Sequence, residues 1–327
     1  MSESSKTLRR PGMRSRRGGV TIVDMKRDVT FPSGPIQIAG HLHLPPGFDE
    51  SRAYSAVVCV HPGSSVKEQT AGLYAARLAE RGLVTLAFDA SHWGESGGEP
   101  RFLEDPPTRI EDIRCAVDFF TTLSFVDPSR VGVLGICAGG GYAVAAAMIE
   151  KRIRAVGTVV TPNGGRVFRA RGAGDALRAV AEQRTRTARG EPPLVTTWIP
   201  NSPEELARSG EGERDTSEAV DYYRTPRGHH PRSSNQLSFE SMARMIAFDP
   251  FHLVEELLDQ PLQVVVGDVR GEFGSYDAGH ELHLRAPGPK DLLVVHGASH
   301  YDLYDRPEYV SQAVDRLGAF YTEHLSG

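Results

Sequence analysis

Cysteine is scarce in this sequence, and the motifs that usually accompany metal-binding cysteines are missing. The 327 residues contain three cysteines, Cys59, Cys115 and Cys137, which are too few for a disulfide framework. There is no CxxC and no HExxH motif, so we expect neither a structural zinc site nor a zincin-type metal site. These absences favour a protein of a reducing compartment such as the cytoplasm.

Long apolar runs and an excess of basic charge are also missing. No apolar stretch approaches the roughly 20 residues that span a bilayer, so we expect no membrane partner. The 37 Lys and Arg residues are outnumbered by 42 Asp and Glu residues, and no basic stripe alternates with aromatic residues. We therefore expect no nucleic-acid partner. The basic segment at residues 1–20 has no apolar run after its arginines, so we expect a disordered tail rather than a secretory signal.

After this tail, strand and helix patterns alternate along the chain. Residues 55–60 (SAVVCV) form a continuous run rich in β-branched residues, as in a strand buried on both faces. Similar runs occur at residues 83–89, 131–136 and 155–160, with helix patterns between them, for example at residues 67–81. Alternation of this kind predicts an α/β fold, with a mostly parallel sheet that carries helices on both faces.

The alternation stops near Pro162 and resumes at residues 262–266. The stretch between them is rich in Arg and Pro and lacks a convincing buried strand. We therefore expect a core formed by residues 21–162 and 261–327, interrupted by a mainly helical insertion over residues 163–260. The insertion is predicted to be a lid across the C-terminal edge of the sheet, because ligands of such sheets bind at that edge. A separate module is the alternative.

The motif GICAG at residues 135–139 places Cys137 between small residues at the end of a predicted strand. A nucleophile at a strand-to-helix turn needs small residues two positions before and after it, and Gly135 and Gly139 meet that need. The N-terminus of the following helix is expected to lower the pKa of the thiol, and the Ala138 N–H to hold an oxyanion. The alternative is a buried, inert cysteine around which the glycines allow close packing.

A thiol nucleophile needs a base and a group that orients the base. His300 is the predicted base, because it follows the last predicted strand in a loop that contains Gly and Ser. His296 ends that strand and is expected to be structural. The acid is expected after the strand at residues 262–266. Asp268 is the predicted acid, and Asp277, which also resembles a helix cap, is the alternative.

Two further loops at strand ends are predicted to complete the site. The N–H of Gly63 or Ser64, in the turn after the first buried strand, is expected to be the second oxyanion donor. The loop around His92 and Trp93 is expected to shape the substrate pocket. The charged pair at residues 67–68 opens the next predicted helix, and we expect it to be a solvated ion pair near the helix N-terminus.

These motifs together resemble a known family. Cys137 in GICAGGGY, the loops HPGSSVKEQ and FDASHWGESGGEPRFLEDP, and the terminal GASHYDLYD are similar to motifs of the α/β-hydrolase superfamily. Within it they resemble the cysteine-nucleophile branch of YcjY-like and fungal polyketide transferase-like proteins, which are distantly similar to dienelactone hydrolases. The resemblance covers about residues 28–325. It implies an α/β-hydrolase fold with an eight-stranded, mostly parallel sheet, a Cys-Asp-His triad built on Cys137 and His300, and no cofactor.

The residues and the resemblance predict an enzyme of acyl chemistry. The first hypothesis is a hydrolase that attacks an ester, lactone or thioester through a thioacyl-enzyme. The alternative is an acyltransferase or cyclase of secondary metabolism that releases a polyketide-like acyl chain to an alcohol or amine. A non-covalent pocket catalyst on the same fold is the third hypothesis. The expected partner is a small-molecule acyl substrate, free or bound to a carrier or coenzyme A, and a homodimer is one option for the oligomeric state.

Overall fold

The computed structural model describes residues 25–210 and 212–326. The predicted basic tail at residues 1–20 lies outside the described residues. Within the part of the chain that the structure describes, no helix combines the length and the apolar composition needed to cross a bilayer.

An eight-stranded sheet forms the centre of the molecule, and it confirms the predicted α/β fold. The strand order is β1-β2-β4-β3-β5-β6-β9-β10, with β2 antiparallel to both β1 and β4 and all other neighbours parallel. The strands of this sheet are β1 (Lys26–Ser33), β2 (Ile36–His43), β3 (Tyr54–Val60), β4 (Val84–Phe88), β5 (Val126–Ile136), β6 (Ile153–Val159), β9 (Leu262–Gly267) and β10 (Lys290–Val295).

Helices cover both faces of this sheet because its central strands are apolar on both sides. Along β3, the side chains of Val58 and Val60 belong to one buried cluster, and those of Val57 and Cys59 belong to the other. The first cluster is closed by α2 (Pro106–Thr121), α3 (Ala138–Ile149) and α10 (Ser275–Arg285), and the second by α1 (Thr70–Ala79), α11 (Asp302–Asp305) and α12 (Pro307–His324).

The chain between β6 and β9, residues 160–261, leaves the sheet and is called the inserted segment below. Its described part is mainly helical and also contains a two-stranded antiparallel sheet, in which Thr196 lies opposite Leu237. Its elements are α4 (Gly164–Ala170), α5 (Ala173–Ala188), β7 (Val195–Thr197), α6 (Pro203–Ser209), α7 (Arg214–Arg224), β8 (Gln236–Ser238), α8 (Ser241–Ala247) and α9 (Val254–Leu257).

The charged pair at residues 67–68 differs from the expectation of a solvated ion pair. Helix α1 begins at Thr70, so Lys67 precedes it, and its side chain is 1% exposed. The Lys67 ammonium donates to Asp89 at 2.8 Å and to Glu95 at 2.6 Å, and lies 2.9 Å from Glu68. A buried ammonium requires such partners, because desolvation of a single charge is costly. This ion cluster fixes the loops after β3 and β4, which both end at the C-terminal edge of the sheet.

Candidate active site

The turn between β5 and α3 gives Cys137 a backbone conformation that few residues adopt. Its φ is 53° and its ψ is −125°, and its N–H donates to the Val159 carbonyl at 2.9 Å. A Cβ atom on Gly135 would overlap the main chain of Gly139, and one on Gly139 would overlap the Val60 carbonyl. The glycines therefore let the chain pass close beneath the cysteine, which holds the thiol at the tip of the turn.

The thiol faces a cavity of about 390 Å³ at the C-terminal edge of the sheet. Cys137 is half-buried, and it lines this cavity together with Ala138, Gly63 and Ser64. The inserted segment supplies most of the remaining wall, which is largely apolar. Its apolar lining includes Phe168, Trp198, Ile199, Leu237, Phe239 and Met242.

The predicted oxyanion donors lie around the thiol. The Ala138 N–H contacts the Cys137 sulfur, and Gly63 and Ser64 line the same cavity from the loop after β3. The N–H groups of Gly63 and Ser64 donate to no acceptor among residues 25–210 and 212–326, so they are free to bind a ligand oxygen. Gly63 also gives room to the inserted segment, since a Cβ atom there would lie 3.1 Å from the Trp198 ring.

His300 is the histidine that the fold brings to this site, and it is buried with 3% of its surface exposed. Its Nδ1 lies 3.1 Å from the Ser275 hydroxyl and its Nε2 lies 3.3 Å from the Tyr304 hydroxyl. Burial lowers the pKa of His300 to about 3. The imidazole is therefore neutral at pH 7, and each ring nitrogen contacts a hydroxyl group.

The thiol of Cys137 is also neutral, which corrects the expectation that the helix N-terminus makes it acidic. Burial raises the pKa of Cys137 to about 11, although contacts with the Tyr304 hydroxyl and the Ala138 N–H lower it in part. The carboxyl groups of Asp215 and Glu104 raise it further. The exposed part of the thiol faces the cavity rather than open water, so desolvation outweighs the helix N-terminus.

The predicted acids do not contact His300, and this corrects the predicted triad. The Asp268 carboxylate accepts from the Gly297 N–H at 2.7 Å and lies 2.8 Å from Nδ1 of His296. Asp277 lies on the surface and pairs with Arg270 at 3.0 Å. Asp268 follows β9 as expected, but its side chain is held by the adjacent end of β10. The group on Nδ1 of His300 is instead a serine hydroxyl.

The predicted pocket residues His92 and Trp93 lie behind the cavity and do not line it, which is a second correction. Trp93 is buried, and its indole N–H donates to the Leu103 carbonyl at 3.1 Å. Nδ1 of His92 lies 2.9 Å from the Pro100 carbonyl. Trp93 packs against Trp198, at 6.3 Å between ring centroids, and Trp198 is the aromatic side chain that reaches the cavity.

Three residues of the site were not predicted from the sequence: Ser275, Tyr304 and Asp215. Ser275 and Tyr304 follow β9 and β10 in the chain, and Tyr304 stands in the same GASHYDLYD motif as His300. Asp215 comes from the inserted segment, where it is buried, accepts from the Phe273 N–H at 2.7 Å and has its pKa raised by burial to about 6. The motif could have indicated Tyr304, but no local pattern indicates Asp215.

The charge on the cavity wall is entirely positive. Arg171 and Arg224 are the two charged side chains among the lining residues. The Arg224 guanidinium donates to the carbonyls of Asn201 at 3.4 Å and Ser233 at 3.3 Å. Neither arginine is paired with a carboxylate of the described residues. Across residues 25–210 and 212–326, no three His, Cys, Asp or Glu side chains are grouped as metal ligands would be.

Sequence comparison assigns this fold and turn to a family. The model of the α/β hydrolase family matches residues 57–313, which is most of the chain and includes the Cys137 turn and His300. The chain belongs to the α/β hydrolase family. This confirms the resemblance to the α/β-hydrolase superfamily and, at the level of the family, an enzyme of the hydrolase or acyltransferase type.

Individual relatives in this family include bacterial and fungal proteins. The uncharacterized protein YcjY of Escherichia coli (strain K12) is 42% identical over 314 residues, which cover 92% of this chain and 100% of YcjY. A polyketide transferase, claH, of Penicillium crustosum is 25% identical over 82% of this chain and 87% of its own. A thiohydrolase of Eupenicillium brefeldianum is 25% identical over 77% of this chain and 81% of its own.

A solved structure is similar to this chain over most of its length. The crystal structure of hypothetical protein PA2218 from Pseudomonas aeruginosa superposes with a TM-score of 0.81 at 34% sequence identity. The superposition covers 93% of this chain and 96% of that chain, so the inserted segment is included in large part.

The neutral thiol gives a testable pH dependence for alkylation. Because burial raises the pKa of Cys137 to about 11, the thiolate fraction is small at pH 7 and increases about tenfold with each pH unit. We expect the iodoacetamide alkylation rate of the Cys137 peptide, followed by mass spectrometry, to rise without a plateau between about pH 6 and pH 10. Glutathione, with an ordinary thiol pKa of about 8.5, is the control that levels off. A plateau already reached below pH 8 would contradict the buried, neutral thiol.

Proposed function

We propose that this enzyme carries out acyl chemistry through Cys137, with a thioacyl-enzyme intermediate. The observation that carries the proposal is the thiol on a strained strand-to-helix turn, facing an apolar cavity with free N–H groups beside it. A turn of this kind exposes a nucleophile, and N–H groups next to it stabilise the oxyanion of a tetrahedral intermediate. A buried cysteine with a purely structural role would need neither the cavity nor the unpaired N–H groups.

The reaction has two stages in this account. The Cys137 sulfur attacks the carbonyl carbon, His300 accepts the proton that the thiol loses, and the N–H groups of Ala138 and Gly63 or Ser64 hold the oxyanion. Collapse of the tetrahedral intermediate expels the leaving group, which takes the proton from His300. In the second stage water or another nucleophile attacks the thioacyl-enzyme and regenerates the thiol.

The neutral pair of thiol and imidazole favours substrates with good leaving groups. His300 is a weak base in its buried position, and no carboxylate of the described residues contacts it to stabilise the imidazolium. A thioester releases a thiol of pKa about 8.5, which needs little help from an acid, whereas an alkyl ester releases a far more basic alkoxide. Thioesters and activated esters are therefore the proposed acyl donors, with alkyl esters and lactones as poorer ones.

The fate of the thioacyl-enzyme separates hydrolysis from transfer. The relatives named thiohydrolase and polyketide transferase are consistent with either outcome. The largely apolar cavity wall limits access of water, which favours transfer to an alcohol or amine when one is bound. We propose hydrolysis as the basal reaction, and acyl transfer or cyclisation, including release of a polyketide-like chain, as the alternative.

The donor is proposed to carry a negative charge, as coenzyme A thioesters and carrier-bound acyl groups do. Support comes from Arg171 and Arg224, which line the cavity without a carboxylate partner among the described residues. Many other arginines of the inserted segment have such partners, for example Arg169 with Asp249. An arginine held only by carbonyl groups has donors left for a phosphate or a carboxylate.

The thiol itself is tested by replacing Cys137 with alanine and measuring turnover of octanoyl-CoA and p-nitrophenyl octanoate. We expect Cys137→Ala to lower kcat/KM by at least about 1,000-fold with both substrates, because the covalent route is lost. Cys115→Ala is the matched control, since Cys115 lies on α2 outside the cavity, and it should keep wild-type turnover. Wild-type turnover in Cys137→Ala would instead support the non-covalent pocket catalyst.

The charge preference is tested by replacing Arg224 with glutamine. A hydrogen bond to a charged group is worth about 1.5–3 kcal/mol, so we expect KM for octanoyl-CoA to rise about tenfold or more in Arg224→Gln. KM for the neutral octanoyl-N-acetylcysteamine thioester should stay within about twofold of wild type. Arg169→Gln, in which the lost charge is paired with Asp249, is the matched control. An equal rise in KM for both substrates would contradict recognition of a negative charge.

A further inference from the structure

A hydroxyl group stands where the mechanism requires a proton to move between thiol and imidazole. Nε2 of His300 lies 3.3 Å from the Tyr304 hydroxyl, and the same hydroxyl contacts the Cys137 thiol. Cys137 and His300 make no direct hydrogen bond with each other. We propose that Tyr304 is a catalytic residue that relays the proton from Cys137 to His300. This inference rests on the proposed function, because it concerns the acylation step of that reaction.

The position of Tyr304 is fixed by two hydrogen bonds from α1 to its short helix. Its carbonyl accepts from the Thr70 hydroxyl at 3.0 Å, and the carbonyl of the preceding Leu303 accepts from the Tyr74 hydroxyl at 2.8 Å. Both donors belong to α1, and both hydrogen bonds are buried. The short helix α11 is therefore tied to α1 at the two residues that aim the tyrosine ring at the site.

The ring of Tyr304 is packed among aromatic side chains that leave its hydroxyl little freedom. Its centroid lies 4.5 Å from that of Tyr301, 5.1 Å from that of Tyr222 and 5.4 Å from the His300 ring. The Tyr304 side chain is fully buried. A tyrosine enclosed in this way can keep its hydroxyl at one place without an entropic cost during the reaction.

The hydroxyl remains protonated, which suits a relay. Burial, together with the neighbouring Cys137, Tyr223 and Tyr301, raises the pKa of Tyr304 well above its ordinary value. A neutral phenol has one proton to donate and lone pairs to accept another. Tyr304 can therefore take a proton from the thiol while it gives its own to the imidazole.

In acylation the relay moves two protons, one from the thiol and one from the Tyr304 hydroxyl. As the bond forms between the Cys137 sulfur and the carbonyl carbon, the S–H bond breaks and its proton passes to the Tyr304 oxygen. The original Tyr304 proton passes to Nε2 of His300, and the π electrons of the carbonyl move to its oxygen. Collapse of the intermediate restores the carbonyl, breaks the bond to the leaving group and returns the proton from His300 to that group. The enzyme is left as a neutral thioester with a neutral imidazole.

The test replaces Tyr304 with phenylalanine, which removes only the hydroxyl, and measures turnover of octanoyl-CoA. Positioned proton transfer is worth about 100- to 10,000-fold, so we expect kcat to fall by at least about 100-fold with KM within about twofold. Tyr222→Phe is the matched control: its ring packs on Tyr304, but its hydroxyl contacts the main chain of Thr70. The control should keep wild-type kcat, and both variants should remain folded with similar, slightly lowered midpoints of urea unfolding, because each loses one buried hydroxyl contact.

A proton inventory distinguishes a relay from a structural role. In mixtures of H₂O and D₂O, the wild-type acylation rate should follow a curved dependence on deuterium content, because two protons move together. Tyr304→Phe should give a linear dependence. In addition, adding Tyr304→Phe to a His300→Ala variant should lower kcat by less than about threefold further, because both residues act in one proton-transfer route.

The outcomes separate the relay from the proposed function. Wild-type kcat in Tyr304→Phe, or a linear proton inventory in the wild type, would overturn the relay. Loss of turnover in Cys137→Ala would still support the thioacyl route in that case. A fall in kcat as large in Tyr222→Phe as in Tyr304→Phe also overturns the relay, since packing would then explain it. Full turnover in Cys137→Ala overturns both proposals.

Discussion

Cys137 holds a left-handed backbone conformation, with φ at 53°, that costs a non-glycine residue on the order of 1–3 kcal/mol. The parallel strands β5 and β6 and the close passage of Gly135 and Gly139 enforce this conformation, and the hydrogen bond from the Cys137 N–H to Val159 closes it. The strain keeps the thiol outside the core of the sheet. The contact of the thiol with the Tyr304 hydroxyl and its place in the cavity wall both depend on this position.

The thiol and the imidazole of this site contact hydroxyl groups, and neither contacts a carboxylate in the described part of the chain. A chain of contacts runs from Cys137 through Tyr304 and His300 to Ser275, with no carboxylate of the described residues at its end. Burial keeps both the thiol and the imidazole neutral, so in the proposed reaction charge separates only when a carbonyl carbon is present to react. Such a site spends little time as a reactive thiolate, which protects the cysteine from alkylation and oxidation between turnovers.

The fold and the strand-to-helix turn that carries Cys137 were predictable from local patterns, whereas the contacts of the other candidate site residues were not. A continuous apolar run predicts a strand from its own residues alone. The glycines around Cys137 likewise predict a strand-to-helix turn, which is a local structure. The partner of His300 depends on how the segments after β9 and β10 meet, so the sequence predicted Asp268, with Asp277 as the alternative, where the structure has Ser275. Likewise, the sequence around Trp93 gave no sign that a tryptophan from the inserted segment would cover it.

In the proposed reaction the acyl group passes through the sulfur of Cys137. The most direct measurement mixes a small amount of octanoyl-CoA with excess enzyme, quenches the mixture in acid within the first turnover, and maps the peptides by mass spectrometry. We expect an octanoyl group on the Cys137 peptide that forms as coenzyme A is released and then decays. Release of coenzyme A in full while the Cys137 peptide stays unmodified at every time point would contradict it.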